Sequence, residues 1–193
     1  MKAMRENWRD DEIADEELQF YIPSLVQGEV NRAEALGAIT RLWFNSPLHV
    51  SWPVWLLNTN VRPAIEHRQF LIVRHRTGQP LLYLSWANLD LAREHQYLRD
   101  PHSLRPEDWN SGQRMWFIDW IAPFGGTRRI ASMLRRKIFK NGAANSLRVK
   151  AGASVGRIHH HFGCQISSTQ REQASGEMLQ SFRSLREATL NTS

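Results

Sequence analysis

Four short stretches of this 193-residue chain carry side chains able to do chemistry. The first is Ser46-Pro47-Leu48-His49. An imidazole titrates near neutral pH and serves as general base or acid, and a serine three residues earlier can share its site across one turn. The same residues also suit a helix C-terminus, where Ser-Pro stops the helix and His49 faces its last carbonyls. Spacing alone leans towards the helix end, because S-x-x-H is a common pattern. The second is Asp119, set inside the apolar run Trp116-Phe117-Ile118-Asp119-Trp120-Ile121. A carboxylate there is costly unless it is paired. Paired with a histidine, it fixes the tautomer and stabilises the protonated ring; paired with an arginine, it is a structural ion pair. Both readings stand at this point.

The third stretch is Gly125-Gly126-Thr127-Arg128-Arg129. A glycine turn leading into a helix presents backbone N–H groups that suit a phosphate, and two arginines add cationic donors. The GxGxxG and GxxxxGK[ST] patterns are missing, so no dinucleotide or P-loop site is implied, and an ordinary strand-to-helix turn is the competing reading. The fourth is His159-His160-His161. On a strand, His159 and His161 share a face and can pair around a metal. No second ligand cluster accompanies them, so an exposed polar strand is expected and no metal is assigned. The single cysteine, Cys164, has no flanking motif and is expected to be an inert, buried thiol.

These residues need elements to position them. Asn31 is a candidate cap for a helix from Arg32 to about Asn45, with Leu36, Ile39, Leu42 and Trp43 at helical spacing. Pro47 and Pro53 bracket a turn, and a second helical stretch runs from Val54 to about Glu66, kinked or cut by Pro63. Gln69–Arg76 and Gln79–Ala87, joined at Thr77-Gly78, form a hairpin. A short helix over Asp90–Leu98 precedes a polar loop. Arg114–Ile121 reads as a central strand. Thr127 is the expected cap of a helix from Arg128 to Asn141. Strands near Leu147–Val149 and Val155–Phe162 and a closing helix from Ser168 to Leu190 complete the chain. The order predicts an α/β (α+β mixed) domain around one sheet over 31–193, behind an acidic N-terminal extension, 1–30.

Composition narrows the function classes. A hydrophobic share of 41% and a charged share of 23% exclude a disordered, collagen-like or coiled-coil chain. One cysteine excludes an internal disulfide framework and fits a reducing compartment. The acidic start is not a secretory signal, and no run approaches the ~20 apolar residues needed to span a bilayer, so a cytoplasmic protein without stable membrane insertion is expected. The net charge of +6 is unevenly spread. From Trp120 to Arg171 there are ten Lys and Arg and no Asp or Glu, which leaves −4 for the rest of the chain. Such a one-signed half draws an anionic partner: nucleic acid, an anionic membrane or an acidic protein all qualify, as does a merely solvated face.

Taken in order, the runs Leu36-Gly37, Leu42-Trp43-Phe44-Asn45-Ser46-Pro47-Leu48-His49, Trp52-Pro53-Val54, Ser85-Trp86-Ala87-Asn88-Leu89, Asp108-Trp109-Asn110-Ser111-Gly112 and Trp116 through Gly125 resemble the RTX toxin-activating lysine acyltransferases, of hemolysin-activating type, over about residues 34–163. Val50 and Gln113 stand where that family carries charged residues. The resemblance implies a GCN5-like acyltransferase fold, one mixed central sheet flanked by helices. It implies transfer of a fatty acyl group from acyl carrier protein to internal lysines of an RTX protoxin, no tightly bound cofactor, and a homodimer. It puts the functional residues on Ser46, His49 and Asp119. On that basis His49 is expected to be the general base, oriented by Asp119 and assisted by Ser46. Gly125, Gly126, Thr127, Arg128 and Arg129 are expected to hold the phosphate of the carrier's arm. Two rivals are a nucleic-acid-binding module using residues 120–171 and a hydrolase using Ser46, His49 and Asp119.

Overall fold

The computed structural model describes residues 15–148 and 157–190. Six strands form one sheet in chain order: β1 (Leu18–Tyr21), β2 (Phe70–His75), β3 (Pro80–Leu89), β4 (Arg114–Ile121), β5 (Ala143–Arg148) and β6 (Arg157–Phe162). Neighbours are antiparallel except β4 and β5, which are parallel. A parallel step needs a crossover, and α4 (Thr127–Met133) with a wide π turn, Leu134–Ile138, supplies it. The other helices are α1 (Arg32–Asn45), α2 (Arg62–Glu66), α3 (Leu91–Arg99) and α5 (Ser168–Leu190). The result is the mixed α/β, acetyltransferase-like arrangement that the resemblance implies.

Strands β2 and β3 are apolar along almost their whole length because both faces are covered. One face, carrying Ile72, Tyr83 and Trp116, packs on α1 through Ile39, Leu42 and Trp43, on α2 through Ala64 and Ile65, and on Tyr97 of α3 and Met178 of α5. The opposite face, with Leu71, Val73, Leu84 and Phe117, packs on Ile130 and Leu134 of the crossover. The buried stripe of α1 is Ala35, Ala38, Ile39, Leu42 and Trp43, the i, i+3, i+4, i+7 spacing of a half-buried helix. Leu36, expected in that stripe, is exposed. Asn31 caps α1 as expected, its side chain accepting from the Glu34 N–H at 3.1 Å.

Several local expectations change. Leu18–Tyr21, within the segment read as an extension, is an edge strand paired with β2. Arg68, at φ 58°, fastens the following segment by donating to the carbonyls of Pro23, Val26 and Gly28. Pro63 does not break its helix: the chain widens into a π turn over Leu57–Val61, which relieves the clash of the proline ring with the preceding turn. Gly126, not Thr127, occupies the N-cap of α4, in the left-handed region at φ 76° and without a side-chain cap bond. The helix expected to reach Asn141 ends its π turn at Ile138. Strand β5 starts four residues ahead of the expected Leu147. Val149, Val155 and the first fourteen residues lie outside the described residues.

Candidate active site

Helix α1 ends where it does because a residue before proline is pushed out of the helical region: Ser46 is extended at φ −91°, ψ 120°. The Ser46 carbonyl then accepts from both His49 N–H and Val50 N–H at 3.0 Å, curling the chain back on itself. That curl sets Ser46 Oγ 2.7 Å from His49 Nδ1. The two readings of Ser-Pro-Leu-His are therefore both realised: it is a helix end, and the two side chains share a site. The His49 ring is wedged between Trp43 and Trp52, with centroids 5.2 and 4.5 Å away.

Asp119 reaches the same place from β4. Its Oδ1 lies 3.7 Å from His49 Nε2, an ion-pair distance, longer than a hydrogen bond. All three side chains are buried, Ser46, His49 and Asp119 being 8, 5 and 4% exposed. Strict alternation from Trp116 would turn Asp119 to the α4 face, with Phe117. A β-bulge prevents this. Leu84 pairs with Trp120 and Trp86 with Phe117, so Ile118 and Asp119 together oppose Ser85. Bulges re-aim side chains in this way. The Asp119 N–H donates to Ser85 Oγ at 3.2 Å, which gives the displaced amide a partner.

The second carboxylate oxygen, Asp119 Oδ2, is buried with no hydrogen-bonding partner, as is the Tyr83 hydroxyl. Burial, and then the Asp119 carboxylate, push the Tyr83 phenol well above its usual range, with the Ser85 hydroxyl pulling the other way. The same two causes, burial first, raise Tyr97. Both phenols therefore stay neutral beside the carboxylate. No charged residue lies between Arg41 and Arg62, and Phe44, Val50, Val54 and Trp55 in that stretch are exposed, so the segment that carries Ser46 and His49 is uncharged and partly apolar.

The remaining sequence candidates sit elsewhere. The glycine turn follows the C-terminal end of β4, with Gly125 and Gly126 both at positive φ and Arg128 exposed. His161 bonds Ser146 Oγ at 2.8 Å and stacks on Trp120. Burial first, then His159, His160 and Arg135, lower its pKa to about 4. Cys164, expected to be buried, is exposed, although its N–H donates to the Arg135 carbonyl. Sequence reasoning missed the role of Ser85. The available signal for Ser85 was a lone hydroxyl in an apolar strand. It also missed Glu94, wholly buried and bonded by Arg114, Trp116 and Ser181 at 2.7, 2.9 and 2.7 Å.

The profile of the RTX toxin acyltransferase family matches residues 28–162. The chain belongs to that family. The protein-lysine myristoyltransferase RtxC of Kingella kingae is 44% identical over 139 residues, 72% of this chain and 82% of the relative. The leukotoxin-activating lysine-acyltransferase LtxC of Aggregatibacter actinomycetemcomitans is 46% identical over 136 residues, 70% and 80% of the two chains. The protein-lysine myristoyltransferase HlyC of Escherichia coli is 44% identical over 133 residues, 69% and 77%. As a member of the RTX toxin acyltransferase family, this protein is an acyltransferase. No helix among the described residues is long and apolar enough to cross a membrane.

Proposed function

We propose that this acyltransferase moves a fatty acyl group from acyl carrier protein to internal lysines of an RTX protoxin, with His49 as the base. The observation that carries the proposal is the buried constellation in which one imidazole has Ser46 at one nitrogen and Asp119 at the other. The relatives, a protein-lysine myristoyltransferase and a leukotoxin-activating lysine-acyltransferase, support the acceptor and the acyl group.

Asp119 beside Nε2 favours the tautomer with its proton there, which leaves the lone pair on Nδ1. The Ser46 hydroxyl occupies that lone pair, so Ser46 relays. An acceptor lysine has a reference pKa of ~10.4 and arrives as an ammonium. It gives one proton to solvent, and the free amine attacks the thioester carbon. As the C–N bond forms, the attacking nitrogen loses its second proton to Ser46 Oγ while Ser46 passes its own to Nδ1. The C–S bond breaks with its electrons on sulfur. The sulfur then takes the proton back from His49 along the same path and leaves as a thiol. Asp119 stays ionised and stabilises the transient imidazolium.

The short Ser46–His49 contact also favours a second reading, an acyl ester on Ser46. For the donor, the basic segment would steer the acidic carrier protein, and the turn from Gly125 to Arg129 would take the phosphate of its arm. The working form is proposed to be a homodimer in the cytoplasm, where carrier protein and newly made protoxin meet.

The test is co-expression with the protoxin, followed by mass spectrometry for lysine-linked acyl groups. His49→Ala should abolish them, and near-normal acylation by that variant would remove the base assignment. Ser46→Ala should slow transfer by about 10–100-fold if Ser46 relays. An acyl group recovered on Ser46 in wild type would instead favour the ester. Fatty acid released with no acceptor present would favour a hydrolase.

A further inference from the structure

Strand β3 carries a phenol that the mechanism above leaves unused. Tyr83 is wholly buried, and its hydroxyl has no hydrogen-bonding partner. Asp119 Oδ2 is in the same condition. A buried donor and a buried acceptor, each unmatched, are both costly, and each is what the other lacks.

The pairing of β3 with β4 gathers three oxygens on one face of the sheet. Tyr83 lies opposite Ile121, and Asp119 precedes Ile121 by one alternation of the strand, so Tyr83 and Asp119 are diagonal neighbours. Such neighbours stand ~7–8 Å apart, within reach of an aromatic side chain. Alternation sets Ser85 on the face of Tyr83, and the bulge brings Asp119 to that face as well. Ser85, itself wholly buried, accepts the Asp119 N–H at 3.2 Å. Its hydroxyl also acts on the Tyr83 phenol, as does the Asp119 carboxylate. Tyr97, the other phenol that Asp119 raises, arrives from α3 and packs edge-on to Trp116; burial and Asp119 are its only influences.

We propose that Tyr83 is a positioning residue of the acyl transfer: its hydroxyl donates to Asp119 Oδ2 across one bridging water and so holds Oδ1 towards His49. Inside a protein a donor and an acceptor that do not meet are joined by water where about two to four polar groups converge, and Tyr83 Oη, Ser85 Oγ and Asp119 Oδ2 converge here. The last torsion of an aspartate is soft and lets its two oxygens exchange places. A donor fixed on Oδ2 stops that exchange. The phenol suits the task because burial and the carboxylate both keep its proton on. The inference rests on the proposed function, with His49 as base. Tyr83 acts through Asp119 and touches no reacting atom.

The test is a double-mutant cycle between Tyr83→Phe and Asp119→Ala. Phenylalanine keeps the ring in the core and alanine removes a buried charge, so both variants should fold. In acylation of the protoxin, Tyr83→Phe should lower kcat by about tenfold, with the acceptor's KM within about twofold of wild type. In the Asp119→Ala background the same change should cost less than about twofold, because the phenol then has no carboxylate to steady. Equal losses in both backgrounds, a loss confined to KM, or no loss in the wild-type background would overturn the inference. A second cycle reads stability and needs no substrate. In urea unfolding, Tyr83→Phe should lower the folding equilibrium constant by about fivefold or more in the wild-type background. In Asp119→Ala it should leave that constant unchanged or raise it, since an orphaned hydroxyl is then removed. Equal changes in the two backgrounds would break the link between these side chains. If wild type transfers no acyl group at all, the function proposed above falls, and unfolding alone decides whether Tyr83 and Asp119 are joined.

Discussion

His49 has a partner at each ring nitrogen, so substitutions on its two sides should behave differently. Asp119→Asn keeps the size of the side chain and removes its charge, and the imidazolium formed during transfer loses its stabilising neighbour. The expected result is a kcat lower by on the order of 10²–10⁴ with the acceptor's KM little changed, read in steady-state acylation assays. An equal fall in affinity would make Asp119 a binding group. His161 gives a prediction about stability. Its folded pKa of about 4 lies below the ordinary imidazole value of 6.5, so the unfolded chain binds its proton first as pH falls. The contribution of neutral His161 is complete above pH 6.5 and is lost between 6.5 and about 4. The melting temperature of wild type should drop across that window, and His161→Gln should drop less. Parallel curves would mean that the ring does not feel its burial.

The bulge in β4 is where one element makes the site. Ser85→Val removes the acceptor of a buried N–H, at a cost of about 1–3 kcal/mol, and withdraws the partner that holds Asp119 on the His49 side. We expect a lower melting temperature and a kcat reduced more than the KM is raised. Full activity in a destabilised protein would mean that the bulge is held without Ser85. Much at this scale was legible in the sequence. Helix α1 was announced by Asn31 and Pro47, the β2–β3 hairpin by Thr77-Gly78, and β4 by its apolar run. What was not legible depended on partners far along the chain. Leu18–Tyr21 is only a strand because β2, some fifty residues on, has a free edge for it. The side on which Asp119 falls is decided by how β3 pairs, which no local pattern in Trp116–Ile121 records. Spacing alone left Ser46, His49 and Asp119 open to structural readings; the family resemblance is what put them together in one site.

For the molecule as a whole, the basic half should act through encounter. Reversing Arg128 and Arg129 to Glu together should raise the carrier protein's KM several-fold at low salt, with kcat retained and the difference shrinking as salt is added. Equal KM values in wild type and variant at low salt would remove that docking surface. The last helix has a wider consequence. Met178 of α5 is part of the central core, and Ser181 of the same helix donates the bond that Glu94 Oε1 receives. Until those residues exist, the inside of the protein has an open wall and a carboxylate short of one donor. A ribosome must therefore reach α5 before the body can close around Tyr97 and Glu94.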